Sequence, residues 1–231
     1  MLDRFSVILA AGGSSARFGR DKLSAELAGR TVIGRSAAAF IERDDVAEVW
    51  IASNHREALQ AVLQQNDADR RLLGDAKLRW CAGGETRAHT VQIAAQAATS
   101  SWLAVHDAAR PLVSRALIDR VFAAARADGA AAPALPVHLT VKRAVGPLPA
   151  RVVETVPRQN LWAMQTPQAM RRSDLLRCLT SSPLPLDQLT DDVQPLELQR
   201  LPVTLVAGEE SNLKLTHATD LALALLHLRH E

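Results

Sequence analysis

Short apolar segments of strand length alternate with longer helical patterns along residues 5–135. Strands are expected at 5–10, 49–52, 78–81, 102–106 and 130–135, and helices at 31–43, 56–64, 86–99 and 114–127. This alternation predicts an α/β fold, a mostly parallel twisted sheet flanked by helices in a Rossmann-like arrangement. Because such sheets bind ligands beyond the carboxyl ends of their strands, a site is expected among the loops at 11–22, 82–90 and 106–111.

The alternation stops at residues 137–158, where prolines flank two short alternating runs, 137–145 and 151–156. These runs predict a β-hairpin arm that projects from the sheet. An isolated two-stranded hairpin is only marginally stable in water, so the arm is expected to pack against another subunit. A long surface loop of the same monomer is the alternative. At 231 residues the whole chain is expected to form a single domain that carries this arm.

The pattern after the arm is less regular. Helices are predicted at 171–179 and 217–229, and strands at 202–206 and 212–215, with a further segment at 161–166. Thr190 is a plausible N-cap for one more helix, since Asp191 and Asp192 would follow in its first turn. Pro195 weakens that interpretation because it would lie near the end of the same turn.

Charge and cysteine content exclude several classes of protein. The chain carries 27 basic and 25 acidic residues that alternate in sign, which argues against a nucleic-acid groove or a membrane surface. Cys81 and Cys178 belong to no metal-binding or disulfide pattern, and no apolar run approaches the ~20 residues that span a bilayer. A soluble protein of a reducing cytoplasm is therefore expected.

The turn after the first strand, Ala10-Ala11-Gly12-Gly13-Ser14-Ser15-Ala16-Arg17-Phe18-Gly19, is rich in glycine and serine. Residues without Cβ atoms allow backbone N–H groups to approach phosphate oxygens, so the turn is expected to hold an anion. It is neither a Walker A loop, which needs Lys-Ser/Thr after the second glycine, nor GxGxxG, because Ser14 occupies the second glycine position.

Two cations accompany this turn. The planar guanidinium of Arg17 and the ammonium group of Lys22 could contact neighbouring phosphate oxygens. Substitution at phosphorus builds negative charge on these oxygens, so both cations would stabilise it. Solvated loop charges are the alternative interpretation. The combination favours an enzyme that holds a nucleoside triphosphate and transfers the nucleotide.

Two further polar loops follow predicted strands at the same edge of the sheet. The segment Gly83-Gly84-Glu85-Thr86-Arg87 could read a base and ribose, although an ordinary glycine turn with Thr86 as N-cap would look the same. The segment His106-Asp107-Ala108-Ala109-Arg110-Pro111 places Asp107 where it could steer Mg²⁺ or a ribose hydroxyl and Arg110 where it could bind an acceptor phosphate. An internal ion pair between Asp107 and Arg110 is the alternative.

Six motifs in this order resemble the 2-C-methyl-D-erythritol 4-phosphate cytidylyltransferase family. They are Ala10-Ala11-Gly12 with Arg17 and Lys22, Gly83 to Arg87, His106 to Pro111, Thr166-Pro167-Gln168, Thr190-Asp191-Asp192, and Asn212 to Thr216. The resemblance implies a homodimer of nucleotidyltransferase-like domains that exchange their β-arms. It also implies transfer of CMP from CTP, bound with Mg²⁺, to a polyol phosphate, 2-C-methyl-D-erythritol 4-phosphate, giving the CDP-alcohol and pyrophosphate with no covalent enzyme intermediate.

The resemblance assigns roles by position. Nucleotide binding would involve Ala10, Ala11, Gly12, Gly13, Gly84, Glu85, Thr90 and Asp107. The acceptor would be oriented by Asp107, Arg110, Thr140, Arg158, Thr166, Thr190 and Lys214, with Thr140 and Arg158 reaching into the partner's site. The residues implied in catalysis are Arg17, Lys22, Arg158 and Lys214. No proton-transfer role is assigned to His89 or His106, because an acceptor phosphate is already ionised at neutral pH.

Four positions depart from the family pattern. Asp21 precedes Lys22 where proline is usual, and Glu85 stands in place of aspartate; Leu139 and Pro157 each replace an aspartate in the arm. The last two remove carboxylates beside the acceptor-binding residues and so bear on the acceptor. Ribitol 5-phosphate and molybdopterin remain alternative acceptors, and a non-catalytic CTP-binding module remains an alternative function.

Overall fold

The computed structural model describes residues 3–12 and 22–228. Its strands are β1 Phe5–Ala10, β2 Glu26–Leu27, β3 Arg30–Thr31, β4 Val46–Ala52, β5 Leu78–Cys81, β6 Trp102–Asp107, β7 Ala130–Pro136, β8 Val141–Ala144, β9 Val152–Val156, β10 Trp162–Met164, β11 Gln168–Arg171 and β12 Thr204–Ala207. Its α-helices are α1 Val32–Ile41, α2 Arg56–Gln65, α3 Arg87–Ala97, α4 Arg115–Asp128, α5 Arg172–Thr180, α6 Gln194–Leu198 and α7 Ala218–Leu228, with 3₁₀ turns at Arg70–Gly74 and Leu186–Gln188. None of these helices has both the length and the apolar character required to cross a bilayer.

The central sheet has the strand order β10-β7-β11-β6-β1-β4-β5, and β12 also pairs with β7. The run from β6 through β1 and β4 to β5 is parallel, whereas β11 is antiparallel to both β6 and β7. The predicted mostly parallel sheet is therefore confirmed. The antiparallel strand β11, at Gln168–Arg171, is an element that the sequence pattern did not indicate.

Apolar side chains on both faces of the sheet explain why helices cover each side. On one face Val7 of β1 belongs to a buried cluster with Phe40 of α1, and on the other Ile8 belongs to a cluster with Val91 of α3. A strand buried on both faces reads as a continuous apolar run, and this is the pattern of β1. The core therefore lies in two layers, one above and one below the sheet.

Three of the predicted helices, those at 31–43, 86–99 and 114–127, begin next to a residue whose side chain caps the helix. The hydroxyls of Thr31, Thr86 and Ser114 each accept a hydrogen bond from a backbone N–H in the first turn of α1, α3 and α4. The predictions included the cap within the helix, so the observed helices begin one residue later.

Two predictions in the C-terminal part were wrong. Thr190 does not cap a helix: α6 begins at Gln194 after the N-cap Val193, so Pro195 lies in the first turn, where its missing N–H costs no intrahelical bond. The segment 212–215 is not a strand, because it joins no ladder of the sheet. Leu215 N instead donates to Ala109 O over 2.8 Å, which anchors this segment to the loop after β6.

The predicted β-hairpin is present. Strands β8 and β9 pair antiparallel, with Val141 opposite Val156, and form a two-stranded sheet separate from the central one. Large apolar side chains of the arm are exposed, Leu139 just before β8 to 81% and Leu148 in the turn between β8 and β9 to 88%. The hairpin therefore presents apolar surface that the described part of this chain does not cover.

The start of α1 is held by a buried carboxylate. Asp69 Oδ2 accepts hydrogen bonds of 2.7 Å from both the backbone N and the hydroxyl of Thr31, and it lies at the positive end of the helix. Gly34 makes this approach possible, because a Cβ atom there would lie 2.1 Å from the Asp69 carboxylate carbon.

We predict that Gly34→Ala destabilises the fold. The added methyl group has to displace the Asp69 carboxylate, and overpacking of this kind costs about 1–3 kcal/mol. Gly74→Ala is the matched control, since a Cβ atom at Gly74 meets nothing within 4 Å. Urea unfolding measures both variants, and equal stability would contradict the role given to Gly34.

Candidate active site

The carboxyl ends of β1, β4, β5 and β6 lie level with one another at one edge of the sheet. Ala10 pairs with Ala52 on one side and with Asp107 on the other, and Ala52 pairs with Cys81. The loops that follow β1, β5 and β6 surround an open cavity of about 170 Å³. It is lined by Ala10, Ala11, Gly12, Lys22, Leu23, Gly84, Glu85, Thr86, Arg87, Thr90, Asp107, Ala109 and Lys214. Most of the predicted nucleotide-binding residues therefore lie together.

Two hydrogen bonds to the end of β4 and the residue after it fix the start of the first loop. Ala11 N donates to Ala52 O over 3.0 Å, and the hydroxyl of Ser53 donates to Ala11 O over 3.1 Å. These bonds fix the direction in which the chain enters the glycine-rich turn. Gly13 and Arg17, two of the predicted site residues, lie outside the described residues.

The second loop is shaped by Thr90 of α3. Its Oγ1 accepts a 2.9 Å bond from Gly84 N and donates over 2.9 Å to Thr86 O. Gly84 is required here, since a Cβ atom would lie 2.6 Å from the ring of His89. Thr90 therefore shapes the turn that carries Glu85 while it also lines the cavity.

The third loop is organised by His106, which is fully buried at the end of β6. Its Nε2 lies 3.0 Å from Arg110 O, a carbonyl that can only accept, so Nε2 carries the proton. Its Nδ1 lies 3.1 Å from the Thr166 hydroxyl, which in turn accepts a bond from Asp107 N. Burial lowers the pKa of His106 to about 4, so the ring is neutral at physiological pH.

Three cations surround Asp107. Lys214 Nζ lies 2.9 Å from its Oδ2, Arg87 Nη2 lies 3.1 Å from its Oδ1, and Arg110 Nε lies 3.6 Å from its Oδ2. Burial alone would raise the pKa of Asp107, but the charges of Arg87 and Lys214 outweigh it and hold that pKa well below its usual range. The ion pair between Asp107 and Arg110, which was the alternative interpretation of this motif, is present as one part of this larger cluster.

A second cavity, of about 300 Å³, adjoins the first and shares Arg87, Asp107 and Lys214 with it. Its other lining residues are Arg110, Met164, Gln165, Thr166, Gln168, Thr190 and Asp191. The predicted acceptor residues Arg110, Thr166, Thr190 and Lys214 therefore meet around one space. Arg110 Nε is buried and its nearest carboxylate oxygen, Asp107 Oδ2, lies 3.6 Å away, while Nη1 donates to Asn212 O over 2.7 Å, so the guanidinium is held in place by two segments of the chain.

The two arm residues of the prediction lie elsewhere. Thr140 and Arg158 are exposed and line neither cavity. Arg158 Nη1 donates to His138 O within the arm. In the described part of the chain the arm therefore contributes nothing to its own chain's site.

The sequence motifs did not predict two members of this cluster, Arg87 and Asp192, as site residues. Arg87 lines both cavities, and Asp192, which accepts its hydrogen bonds, is buried beside them. The two are 105 positions apart, so no spacing pattern joins them. Their only signal was that each stands within a motif quoted for the resemblance, the one at 83–87 and the one at 190–192.

The described residues contain no group of three or more His, Cys, Asp or Glu side chains suited to hold a metal ion. Asp107, the carboxylate that lines both cavities, already accepts from Arg87 and Lys214.

The chain is similar in sequence to proteins of known family. The chain matches the family model described as IspD, 2-C-methyl-D-erythritol 4-phosphate cytidylyltransferase, over residues 5–230. It is 40% identical over 224 residues to a bifunctional enzyme IspD/IspF of Anaeromyxobacter sp. (strain Fw109-5), with 96% of this chain and 56% of that protein covered. It is 36% identical over 241 residues to a 2-C-methyl-D-erythritol 4-phosphate cytidylyltransferase of Dechloromonas aromatica (strain RCB), with 99% of each covered.

A solved structure from this family has the same fold as this chain. The crystal structure of 2-C-methyl-D-erythritol 4-phosphate cytidylyltransferase from Thermus thermophilus superposes with a TM-score of 0.76 at 31% identity, covering 99% of this chain and 100% of that one. The chain spans about half the length of the bifunctional relatives, 55–57% of each of three.

We predict that His106 makes stability depend on pH. Its pKa is about 6.5 in the unfolded chain and about 4 when folded, so the unfolded state binds more protons between these values. Stability is therefore complete above about pH 6.5 and falls by up to about 3 kcal/mol as the pH approaches 4. Urea unfolding across this range should show a flatter profile for His106→Gln than for the wild type, and parallel profiles would contradict the assignment.

Proposed function

The chain belongs to the 2-C-methyl-D-erythritol 4-phosphate cytidylyltransferase family, and on that basis we propose that it transfers CMP from CTP to 2-C-methyl-D-erythritol 4-phosphate. The products would be the CDP-alcohol and pyrophosphate, a step of isoprenoid precursor biosynthesis. The observation that carries this proposal is the pair of adjoining cavities that share Asp107, Arg87 and Lys214. A two-substrate transfer needs two binding spaces that meet where the bond forms.

The first cavity suits the nucleotide. Small residues, Ala10, Ala11, Gly12 and Gly84, line it and let backbone groups approach a base and ribose closely. Lys22 lines the same space and would lie beside the phosphates, with Arg17 expected from the adjoining turn. A divalent cation, proposed to be Mg²⁺, would enter with CTP and neutralise part of the triphosphate charge.

The second cavity suits a small phosphorylated acceptor. Arg110 and Lys214 supply positive charge to it, while Thr166 and Thr190 supply hydroxyl groups. A phosphate oxygen held here would attack the α-phosphorus in line, and Lys22 and Arg17 would stabilise the charge that develops. The buried neutral ring of His106 fits this scheme, because an ionised phosphate needs no general base.

We predict that Lys22→Ala lowers kcat about 100- to 1,000-fold, the usual cost of removing one prepositioned charge partner of a transition state. Pyrophosphate release with CTP, Mg²⁺ and 2-C-methyl-D-erythritol 4-phosphate measures the effect. Lys77→Ala is the control, since Lys77 donates to the carbonyls of Ile41 and Arg43 and lines neither cavity. Unchanged turnover of Lys22→Ala would contradict this mechanism.

The same assay decides the acceptor. Leu139 and Pro157 leave the arm without two carboxylates of the family pattern, so ribitol 5-phosphate and molybdopterin belong in the comparison. We expect the highest kcat/KM with 2-C-methyl-D-erythritol 4-phosphate. Faster release with another acceptor would reassign the substrate, and no release with any acceptor would favour a CTP-binding module.

We also propose a cytoplasmic homodimer in which the β8–β9 arms are exchanged. Exposed apolar residues on the arm, including Leu139 and Leu148, support a protein partner for it. Exchange would bring Thr140 and Arg158 of one chain to the acceptor cavity of the other. Each site would then require both chains.

Arm exchange predicts complementation between two inactive variants. Lys22→Ala and Arg158→Ala, unfolded together and refolded as a mixture, should form about one half mixed dimers with one intact site each, and so regain about a quarter of wild-type activity. Pyrophosphate release before and after mixing measures this. A mixture that stays as inactive as its components would contradict exchange.

A further inference from the structure

Arg87 is the first residue of α3 and contacts carboxylates on two other segments. Its Nη1 and Nη2 donate to the two oxygens of Asp192 over 2.6 and 2.7 Å, while Nε and Nη2 donate to Asp107 Oδ1 over 3.3 and 3.1 Å. Four of its five N–H groups are thereby engaged within the protein. Arg87 is therefore occupied in joining protein segments and has little capacity left to bind a substrate phosphate.

Asp192 is 3% exposed and lines neither cavity. The backbone N–H groups of Asp192 and Val193 donate to Gln168 Oε1 over 2.8 and 3.1 Å. The segment is thus held from one side by Gln168 and from the other by Arg87. The two residues that precede Asp192, Thr190 and Asp191, line the acceptor cavity.

The position of Arg87 has a local cost. The first turn of α3 contains no acidic residue, and a cation at a helix N-terminus opposes the helix dipole. Burial would also lower the pKa of Arg87, but Asp192 and Asp107 outweigh it and raise that pKa. The arginine is therefore stabilised by its contacts across the site and not by the helix that carries it.

We propose that Arg87 is a positioning residue which, through Asp192, holds the Thr190–Asp191 wall of the acceptor cavity against Asp107. This inference rests on the proposed function and assigns the pair to the acceptor half of the reaction. A planar guanidinium can bond both oxygens of Asp192 and one of Asp107 at once, which the single ammonium of a lysine cannot reproduce. Loss of the pair leaves Asp107 with Lys214 and Arg110, so the first cavity keeps its central carboxylate.

The test compares Arg87→Lys and Asp192→Asn with Arg43→Lys. Arg43 is the matched control, because it is also a buried arginine bridging two carboxylates, Asp45 and Asp119, and it lines neither cavity. For both site variants we expect kcat/KM for the acceptor to fall about 100-fold, the cost of a misplacement of about 1 Å, with little change in CTP affinity by calorimetry. Arg43→Lys should alter thermal stability alone.

The double variant Arg87→Lys/Asp192→Asn should be no worse than the poorer single variant, because both remove the same contact. Additive losses would overturn the proposal, since they would mean that the two residues act separately. Equal losses of CTP binding and acceptor kcat/KM would also overturn it, by showing general damage to the site.

A second measurement is independent of turnover. Hydrogen exchange by mass spectrometry should show faster exchange in a peptide covering 188–196 in Arg87→Lys, with no change there in Arg43→Lys. If the wild type transfers CMP to no acceptor, the proposed function fails, yet this exchange result still decides the positioning role. Unchanged exchange at 188–196 would overturn it.

Discussion

The buried carboxylate of Asp107 is the interaction on which the geometry of the site depends. It ends the central strand β6 and meets cations from three other places in the chain: Arg87 from the start of α3, Arg110 from the loop after β6, and Lys214 from the C-terminal segment. A charge removed from water is tolerated only when such partners are present. Asp107 can therefore stay buried and ionised only if these three segments meet at this edge of the sheet.

The same cluster gives the site its electrostatic character. Where the cavities meet, Arg87, Arg110 and Lys214 face the buried carboxylates of Asp107 and Asp192. Lys22 adds a cation to the wall of the first cavity, while Glu85 adds a carboxylate to the first cavity and Asp191 adds one to the second. A phosphorylated ligand can therefore find cationic partners in both cavities, and its recognition depends on where these charges lie and not on an overall excess of positive charge.

Signals confined to a short stretch of sequence predicted the fold well. The caps Thr31, Thr86 and Ser114 marked helix starts, and the proline-flanked runs marked the arm. The sequence could not reveal what depends on distant partners. Strand β11 forms because its backbone finds partners in both β6 and β7, and the segment 212–215 stays outside the sheet, where Leu215 N donates to Ala109 O.

The site residues also fall into those that the sequence could predict and those that it could not. Residues at strand ends, such as Ala10 and Asp107, were predictable because the topology of a parallel sheet brings those ends together. The contact between Arg87 and Asp192 was not, since it arises only when α3 and the loop before α6 pack on the same side. Arg17, Gly13 and the exchange of Thr140 and Arg158 stay predictions, because they concern residues outside the described ranges or a second chain.

Lys214 explains how one residue can belong to both cavities. Its ammonium group has three N–H donors, and the 2.9 Å contact with Asp107 uses one of them. The side chain is still 44% exposed, so the remaining donors face the space where a ligand would enter. Asp107 thereby fixes the direction of the lysine without consuming its capacity to bind phosphate. A carboxylate that orients a cation in this way prepares it for a second anion, because the lysine does not have to be ordered again when substrate arrives.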